Sequence, residues 1–225
     1  MTLTLTLVRH GQTHFNASQI LQGSSNSPLT KTGREGVRTT AKHLAASDFV
    51  AAYTSPSGRA VTTAVEIVHH HEGLRLRVDS DLREYDFGTF ERRPERELEA
   101  VQPWSELVPA VLSGRHPGLP DGETGAAYMR RVRDAFARIT DAHPEGEVLV
   151  VGHGLTLAAY LWTVEPGPLA QLPNASVSTV RITDGVAQVV EVGLDIAGHG
   201  HVATRSAPAS SPAPAAATPA RLTAN

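Results

Sequence analysis

At 225 residues and 40% hydrophobic side chains, the chain suffices for one substantial domain with its own core and a short remainder. A formal charge of −3 leaves no basic excess to cover a phosphate backbone, which argues against a nucleic-acid binder, and zero cysteines exclude disulfides, thiolate catalysis and cysteine-based metal sites. No window holds the roughly 18 apolar residues of a membrane helix, and the N-terminus alternates leucine with threonine instead of forming an export signal, so a soluble cytoplasmic protein is expected, with no membrane partner.

The predicted elements alternate along the chain. Thr2 to Val8 reads as a strand, with Leu3, Leu5 and Leu7 at every second position. A helix is predicted over 29–47, capped by Thr30 or Thr32, then a short apolar strand from Phe49 to Ser55. The next helix spans 57–72 and places Ala60, Ala64, Ile67 and Val68 on one stripe. A third strand lies near Val78, and residues 91–120 suggest two short irregular helices. The strongest helical pattern starts at Glu123, with Met129, Val132, Phe136 and Ile139 on its apolar face, and Pro144 ends it. A continuous apolar strand from Glu147 follows, of the kind buried on both faces, then a helix over 154–162. A hairpin closes the pattern, turning at Asp184-Gly185. This order predicts a three-layer α/β/α sandwich around a mostly parallel sheet, over residues 1–197. Residues 198–225 turn Ala/Pro/Ser-rich and lose large apolar side chains, which predicts a disordered tail.

Two strands end alike. The first closes as VRHG (Val8 to Gly11) and the one near residue 150 as VGHG (Val151 to Gly154). Ligands of such sheets gather outside the carboxyl ends of strands, so His10 and His153 are expected across one crevice, each followed by a glycine that admits a ligand. An arginine at the end of a core strand needs an anionic partner, and the planar fork of Arg9 suits phosphate oxygens. Arg59 opens the helix after Ser55, Pro56 and Ser57, where helix N–H groups also attract anions. Arg9, His10, Arg59 and His153 would then enclose a phosphoryl group. Glu84, Asp86 and Glu91 in LREYDFGTFE are the candidate acids, and residue chemistry alone does not choose among them.

These blocks together resemble the histidine phosphatase superfamily, in its phosphoglycerate mutase-like branch. RHGQTHFN matches the opening signature RHG-[EQ]-[ST]-x-x-N, and LQGSSNSPLTKTGREGV, SPSGRAVTTA, LREYDFGTFE, PDGET and VVGHGLTL follow in order. The resemblance implies a nucleophile at His10 that forms a phosphohistidine, with Arg9, Arg59 and His153 clamping the phosphoryl oxygens. It implies a donor at Asn16, a mouth lined by Gln22 and Gly23, and an acid/base at Glu84, the glutamate of the L-[RK]-E pattern. Gly11 is expected to let the chain pass close to the phosphate. No metal and no cofactor are implied.

Three departures stand out. Arg92 occupies a position that is commonly glycine, and Arg92 and Arg93 are expected as exposed residues starting a helix. The stretch GSSNSPLT lacks an acidic residue before the proline, expected to be only a surface change. The long arginine-rich insertion of cofactor-dependent glycerate mutases is absent, which favours hydrolysis. A phosphatase acting on a small phosphorylated metabolite is therefore expected, with a homodimer left open. The alternatives are a phosphoglycerate mutase-type transferase and a non-catalytic phospho-ligand or protein-binding module. The triplet His69, His70 and His71 reads as a helix terminus because adjacent helical positions face different ways. Trp104 and Trp162 read as core, and Glu123 as part of a mainly structural cap.

Overall fold

The computed structural model describes residues 1–168 and 171–198, so the tail expected from Gly198 lies, past that residue, outside the described residues. Among these, β1 (Thr2–Arg9), β2 (Phe49–Thr54), β3 (Leu76–Val78), β4 (Gly146–Gly152), β5 (Val177–Thr183) and β6 (Val186–Leu194) form one sheet ordered β3-β2-β4-β1-β5-β6. Strands β3, β2, β4 and β1 are mutually parallel; β5 pairs antiparallel with β1, and β6 antiparallel with β5. The helices are α1 (His14–Ala17), α2 (Lys31–Leu44), α3 (Gly58–Val68), α4 (Glu95–Val101), α5 (Trp104–Leu112), α6 (Gly125–Ala142) and α7 (Gly154–Val164).

Strand β4 shows why its sequence is apolar without interruption. Val148 and Val150 pack with Leu3, Leu5 and Leu7 of β1 against α5, α6 and α7. Leu149 and Val151 pack with Val8 against α2 and α3 on the opposite face. The predicted three layers are thus two cores separated by one sheet. Strand β1 alternates leucine with threonine yet is central too. Thr6 is buried, and its hydroxyl donates to Glu147 Oε1 at 2.8 Å.

Caps set the helix boundaries. Thr30 accepts from Gly33 N at 2.9 Å and starts α2, while Thr124 accepts from Ala127 N at 3.2 Å and starts α6. The histidine triplet lies just past the end of α3, where the His71 ring meets Phe49 edge-on at 4.9 Å between centroids. Among the described residues, no group of three or more His, Cys, Asp or Glu could hold a metal ion, and no helix is long and apolar enough to cross a membrane. Trp104 and Trp162 pack, partly buried, against the larger core.

The junction between β1 and α2 gives Gly11 a packing reason. A Cβ on Gly11 would lie 2.9 Å from the Gly33 carbonyl oxygen and collide with the Val37 side chain, so the glycine lets α2 approach β1 closely. Gly33 is tighter still, because its Cβ would overlap the Gln12 carbonyl. That obstacle is backbone and cannot swing away. Gly33→Ala should destabilise the fold by about 1–3 kcal/mol through overpacking. Denaturant unfolding at wild-type stability would show that α2 has room to retreat.

Candidate active site

Three neighbouring parallel strands deliver the site. Arg9 ends β1 opposite Gly152 of β4, and His10 N donates to the Gly152 carbonyl at 3.0 Å. Ser55 follows β2 and donates from its backbone to Val151 O at 3.1 Å, while His153 follows β4. The crevice at the carboxyl ends therefore receives both predicted imidazoles, whose ring centroids lie 5.3 Å apart with planes inclined at 65°.

The hydrogen bonds assign the His10 ring its proton. His10 Nδ1 lies 2.8 Å from the Gly11 carbonyl oxygen, an acceptor only, so Nδ1 carries the hydrogen and Nε2 keeps its lone pair. Burial, then the charges of Arg59 and Arg9, hold His10 well below the ordinary histidine range, outweighing the Gly11 carbonyl. The ring is neutral. His153 Nε2 lies 2.7 Å from Ser55 Oγ, and His153 Nδ1 is buried without a partner. Ser55 Oγ also lies 3.3 Å from Ser57 Oγ, to which it donates, so the contact with Ser55 admits the hydrogen of His153 on either ring nitrogen. Burial first, and then Arg59, His10, Arg9 and Arg131, keep this ring neutral as well.

The arginines are tethered but unneutralised. Arg59 is only 2% exposed; Nη2 donates to Gly23 O at 2.8 Å and Nη1 to Ser25 O at 2.7 Å. Arg9 donates through Nη1 to the Leu172 carbonyl. Among the described residues neither forms an ion pair, and the Nε of each is buried with no acceptor. Burial lowers both, Arg59 to about 10, with the nearby charge of Glu84 acting the other way. A cation enclosed so is matched by an anionic ligand. The glycine after His153 contributes to this. A Cβ on Gly154 would sit 3.3 Å from Arg9 Nε, so the glycine makes room for the guanidinium.

Among the three candidate acids the geometry separates their uses. Glu91 receives the Ser24 and Ser25 N–H groups at 2.7 and 2.8 Å and shapes the Gly23 turn, whose φ is +49°. Asp86 accepts from Gly88 N at 2.9 Å within its own turn. Glu84 sits on the N-terminus of α7. Its Oε1 accepts from Tyr85 N (2.9 Å), Thr156 N (3.1 Å) and Thr156 Oγ1 (3.0 Å), with Tyr128 Oη at 3.5 Å. Its Oε2 accepts only from Leu155 N, at 3.0 Å, and so keeps room for a proton. This is the acid whose charge both arginines feel first.

The remaining predicted residues form a side-chain network on α1. Asn16 Oδ1 accepts from Thr13 N (3.2 Å), Thr13 Oγ1 (3.0 Å) and Asn174 Nδ2 (3.3 Å), which leaves its amide nitrogen for a ligand. Gln22 Nε2 donates to Thr13 Oγ1 at 2.8 Å, and its Oε1 is buried without a partner, an acceptor for a hydroxyl or water. Asn26, in the stretch GSSNSPLT expected to differ only at the surface, is exposed and also contacts the site. Its Oδ1 accepts from Arg59 N at 3.2 Å, so α3 does not offer that N–H to an anion. Arg92 and Arg93 are exposed ahead of α4, as expected, with Arg93 paired to Glu97 at 2.6 Å. Arg92 holds φ +64°, the left-handed conformation that glycine adopts freely, so the turn survives the substitution.

Sequence reasoning missed Ser55, Tyr128, Thr156 and Glu95. Ser55 stands in the strand-to-helix turn already singled out for Arg59, and that position was its signal. Glu95 is half-buried near Arg9, and burial raises it above the usual carboxylate range while the Arg9 charge pulls it back.

Known proteins resemble this chain in sequence and in fold. A family model described as "Histidine phosphatase superfamily (branch 1)" matches residues 5–195. A curated relative from Yersinia enterocolitica, "Probable phosphoglycerate mutase GpmB", is 34% identical over 164 residues, 72% of this chain and 74% of that protein. The solved structure of Bacillus stearothermophilus YhfR is 28% identical with a TM-score of 0.74, covering 85% of this chain and 97% of that one. A mycobacterial glucosyl-3-phosphoglycerate phosphatase complexed with VO3 shares the fold at 24% identity and a TM-score of 0.75, over 85% of this chain and 99% of that one. The chain belongs to the histidine phosphatase superfamily, branch 1, a family of phosphatase and mutase enzymes.

Proposed function

We propose that this chain is a phosphomonoesterase that hydrolyses phosphate esters of small metabolites through a phosphohistidine at His10. The observation that carries this reading is the pair of enclosed Nε–H groups, on Arg9 and Arg59, beside two neutral imidazoles. Such a set offers two arginine hydrogen-bond donors and two positive charges to one tetrahedral dianion, with a lone pair for its phosphorus.

In the first half-reaction, His10 Nε2 attacks phosphorus and the bond to the leaving oxygen breaks. A proton on Glu84 Oε2 passes to that oxygen, so the alcohol departs neutral. Arg9 Nε, Arg59 Nε and, with its hydrogen on Nδ1, His153 hold the phosphoryl oxygens where charge is spread in the transition state. In the second half, water attacks the phosphohistidine, Glu84 takes the water's proton, and His10 is released neutral with inorganic phosphate. The acid is restored. No metal ion is needed for any step of this reading.

A phosphoglycerate mutase is the second reading, favoured by the name of the Yersinia enterocolitica relative. Two features support hydrolysis instead. The segment between Glu84 and His153 lacks the arginine-rich insertion that would shield the phosphoenzyme from water. Glu95 also sets a carboxylate near Arg9, a poor neighbour for a substrate that carries its own carboxylate.

Phosphorylated metabolites without a carboxylate should release inorganic phosphate, and 3-phosphoglycerate should release it more slowly; an isomerised ester accumulating without phosphate would overturn hydrolysis in favour of the mutase. His10→Ala should abolish turnover and the acid-labile phosphoenzyme trapped by rapid quench, and label retained on that variant would remove His10 from its role. Glu84→Gln should lower kcat by about 10²–10⁴-fold on alkyl phosphates and far less on p-nitrophenyl phosphate. Equal losses on both would exclude proton donation by Glu84.

A further inference from the structure

One buried charge takes no part in the steps above. Arg131 projects from α6, is 8% exposed, and lies where the sequence pattern calls for an apolar residue. Each of its five N–H groups has an acceptor. Nη1 donates to the carbonyls of Asp81 (2.9 Å) and Arg83 (2.7 Å), and Nη2 to that of Glu84 (2.9 Å). Nε donates to Glu123 Oε2 at 3.0 Å, and Nη2 also to Glu123 Oε1. The contrast with Arg9 and Arg59 is direct, since their Nε groups have no partner within the protein. A fully satisfied guanidinium has nothing left to offer a ligand; what it holds is protein.

What it holds is the main chain leading into the acid. Three of the five bonds end on carbonyls between residues 81 and 84, a stretch with one short 3-10 turn at Ser80–Leu82 and otherwise irregular backbone. Glu123 grips the far side, because its Oε1 also accepts from Asp86 N at 3.0 Å. The residue that must present a carboxyl oxygen is thus fixed before and after by one ion pair. One turn earlier on α6, the Tyr128 ring lies 4.6 Å beneath the Arg131 guanidinium, and its hydroxyl reaches Thr156 Oγ1 at 3.2 Å. The α6 helix therefore supports both the backbone and the carboxylate of Glu84.

We propose that Arg131, neutralised by Glu123, is a positioning residue for the acid: it fixes Glu84 so that Oε2 meets the leaving oxygen. This rests on Glu84 acting as the proton donor. The helix keeps the clamp rigid, and the ion pair with Glu123 neutralises the buried cation that serves the backbone. A loosened clamp would leave substrate binding and attack by His10 in place while displacing the proton donor by a fraction of an ångström.

The test is kcat and KM for Arg131→Met and Glu123→Gln across a series of aryl and alkyl phosphates spanning leaving-group pKa, with Glu84→Gln alongside. Both variants should lose about 10–100-fold in kcat on alkyl phosphates and less than about threefold on p-nitrophenyl phosphate, with little change in KM. A merely structural role would lower kcat evenly across the series, and an even loss in folded variants, verified by circular dichroism, overturns the proposal. If Arg131→Met does not fold, Glu123→Gln, which keeps the side-chain volume, gives the same decision by the same slope. Should Glu84→Gln itself lose activity evenly, the failure lies with the acid assignment and not with the clamp.

Discussion

Two arginine Nε–H groups, enclosed beside neutral imidazoles and with no carboxylate to meet them, are the constraint on which the rest of this structure turns. An uncompensated cation in a protein interior is costly, and two close together repel. The fold bears this by tying the guanidinium ends to backbone carbonyls, Leu172 for Arg9 and Gly23 and Ser25 for Arg59, which orient the groups without neutralising them. Glu91 is committed to the Ser24 and Ser25 amides, and Glu84 to the start of α7. The acids near the arginines are thus given other work. The positive charge stays available for a ligand, and it adds to burial, the larger cause, in holding His10 and His153 well below the ordinary histidine range.

How much of this was legible depended on the range of the interaction. The sheet was readable because burial on two faces writes an uninterrupted apolar run into β4, and the matching VRHG and VGHG endings followed from two strands sharing one crevice. Arg59 was visible because it opens a helix after a marked turn. The packing role of Gly11 was not legible: it meets the Gly33 carbonyl and the Val37 side chain, more than twenty residues away, and helix–strand distance leaves no periodic trace. The contact made by Asn26 was not foreseen, because an exposed side chain in a loop gives no sign that its oxygen accepts from the Arg59 backbone. Arg131 did leave a trace. It falls on the stripe of Tyr128, Ala135 and Ile139, and a charge on the apolar face of the strongest helix asks for a partner.

Arg92 shows which local rules can be broken. A left-handed residue with a side chain is uncommon, yet the backbone there is held by Arg92 N donating to Leu21 O at 2.8 Å and Leu21 N donating to Arg93 O at 3.0 Å. That short ribbon fixes the segment beside Gln22 and Gly23, and the cost of one strained turn is small beside displacing it. The rule held by glycine elsewhere in the family is a rule about backbone shape, and here the surrounding bonds enforce the shape.

The buried polar groups also divide by whether their valences are filled, and that division sorts their roles better than burial or charge does. Arg131, Glu91 and Glu84 Oε1 have their partners within the chain; each holds a segment of backbone or a helix end in place. Among the described residues six buried side-chain atoms lack them: Arg9 Nε, Arg59 Nε, His153 Nδ1 and Gln22 Oε1 belong to the candidate site, and His71 Nε2 and Ser176 Oγ do not. Desolvated polar atoms left unpaired on a rigid sheet are expensive, so the clustering of the first four at one crevice implies a guest that pairs with them together. The two arginine donors beside the lone pair of His10 fit the phosphoryl group of the proposed reaction, and Gln22 Oε1 fits the hydroxyl or water that arrives or departs with it. The filled set fixes where such a guest can sit, and the unfilled set gives the reason for proposing it.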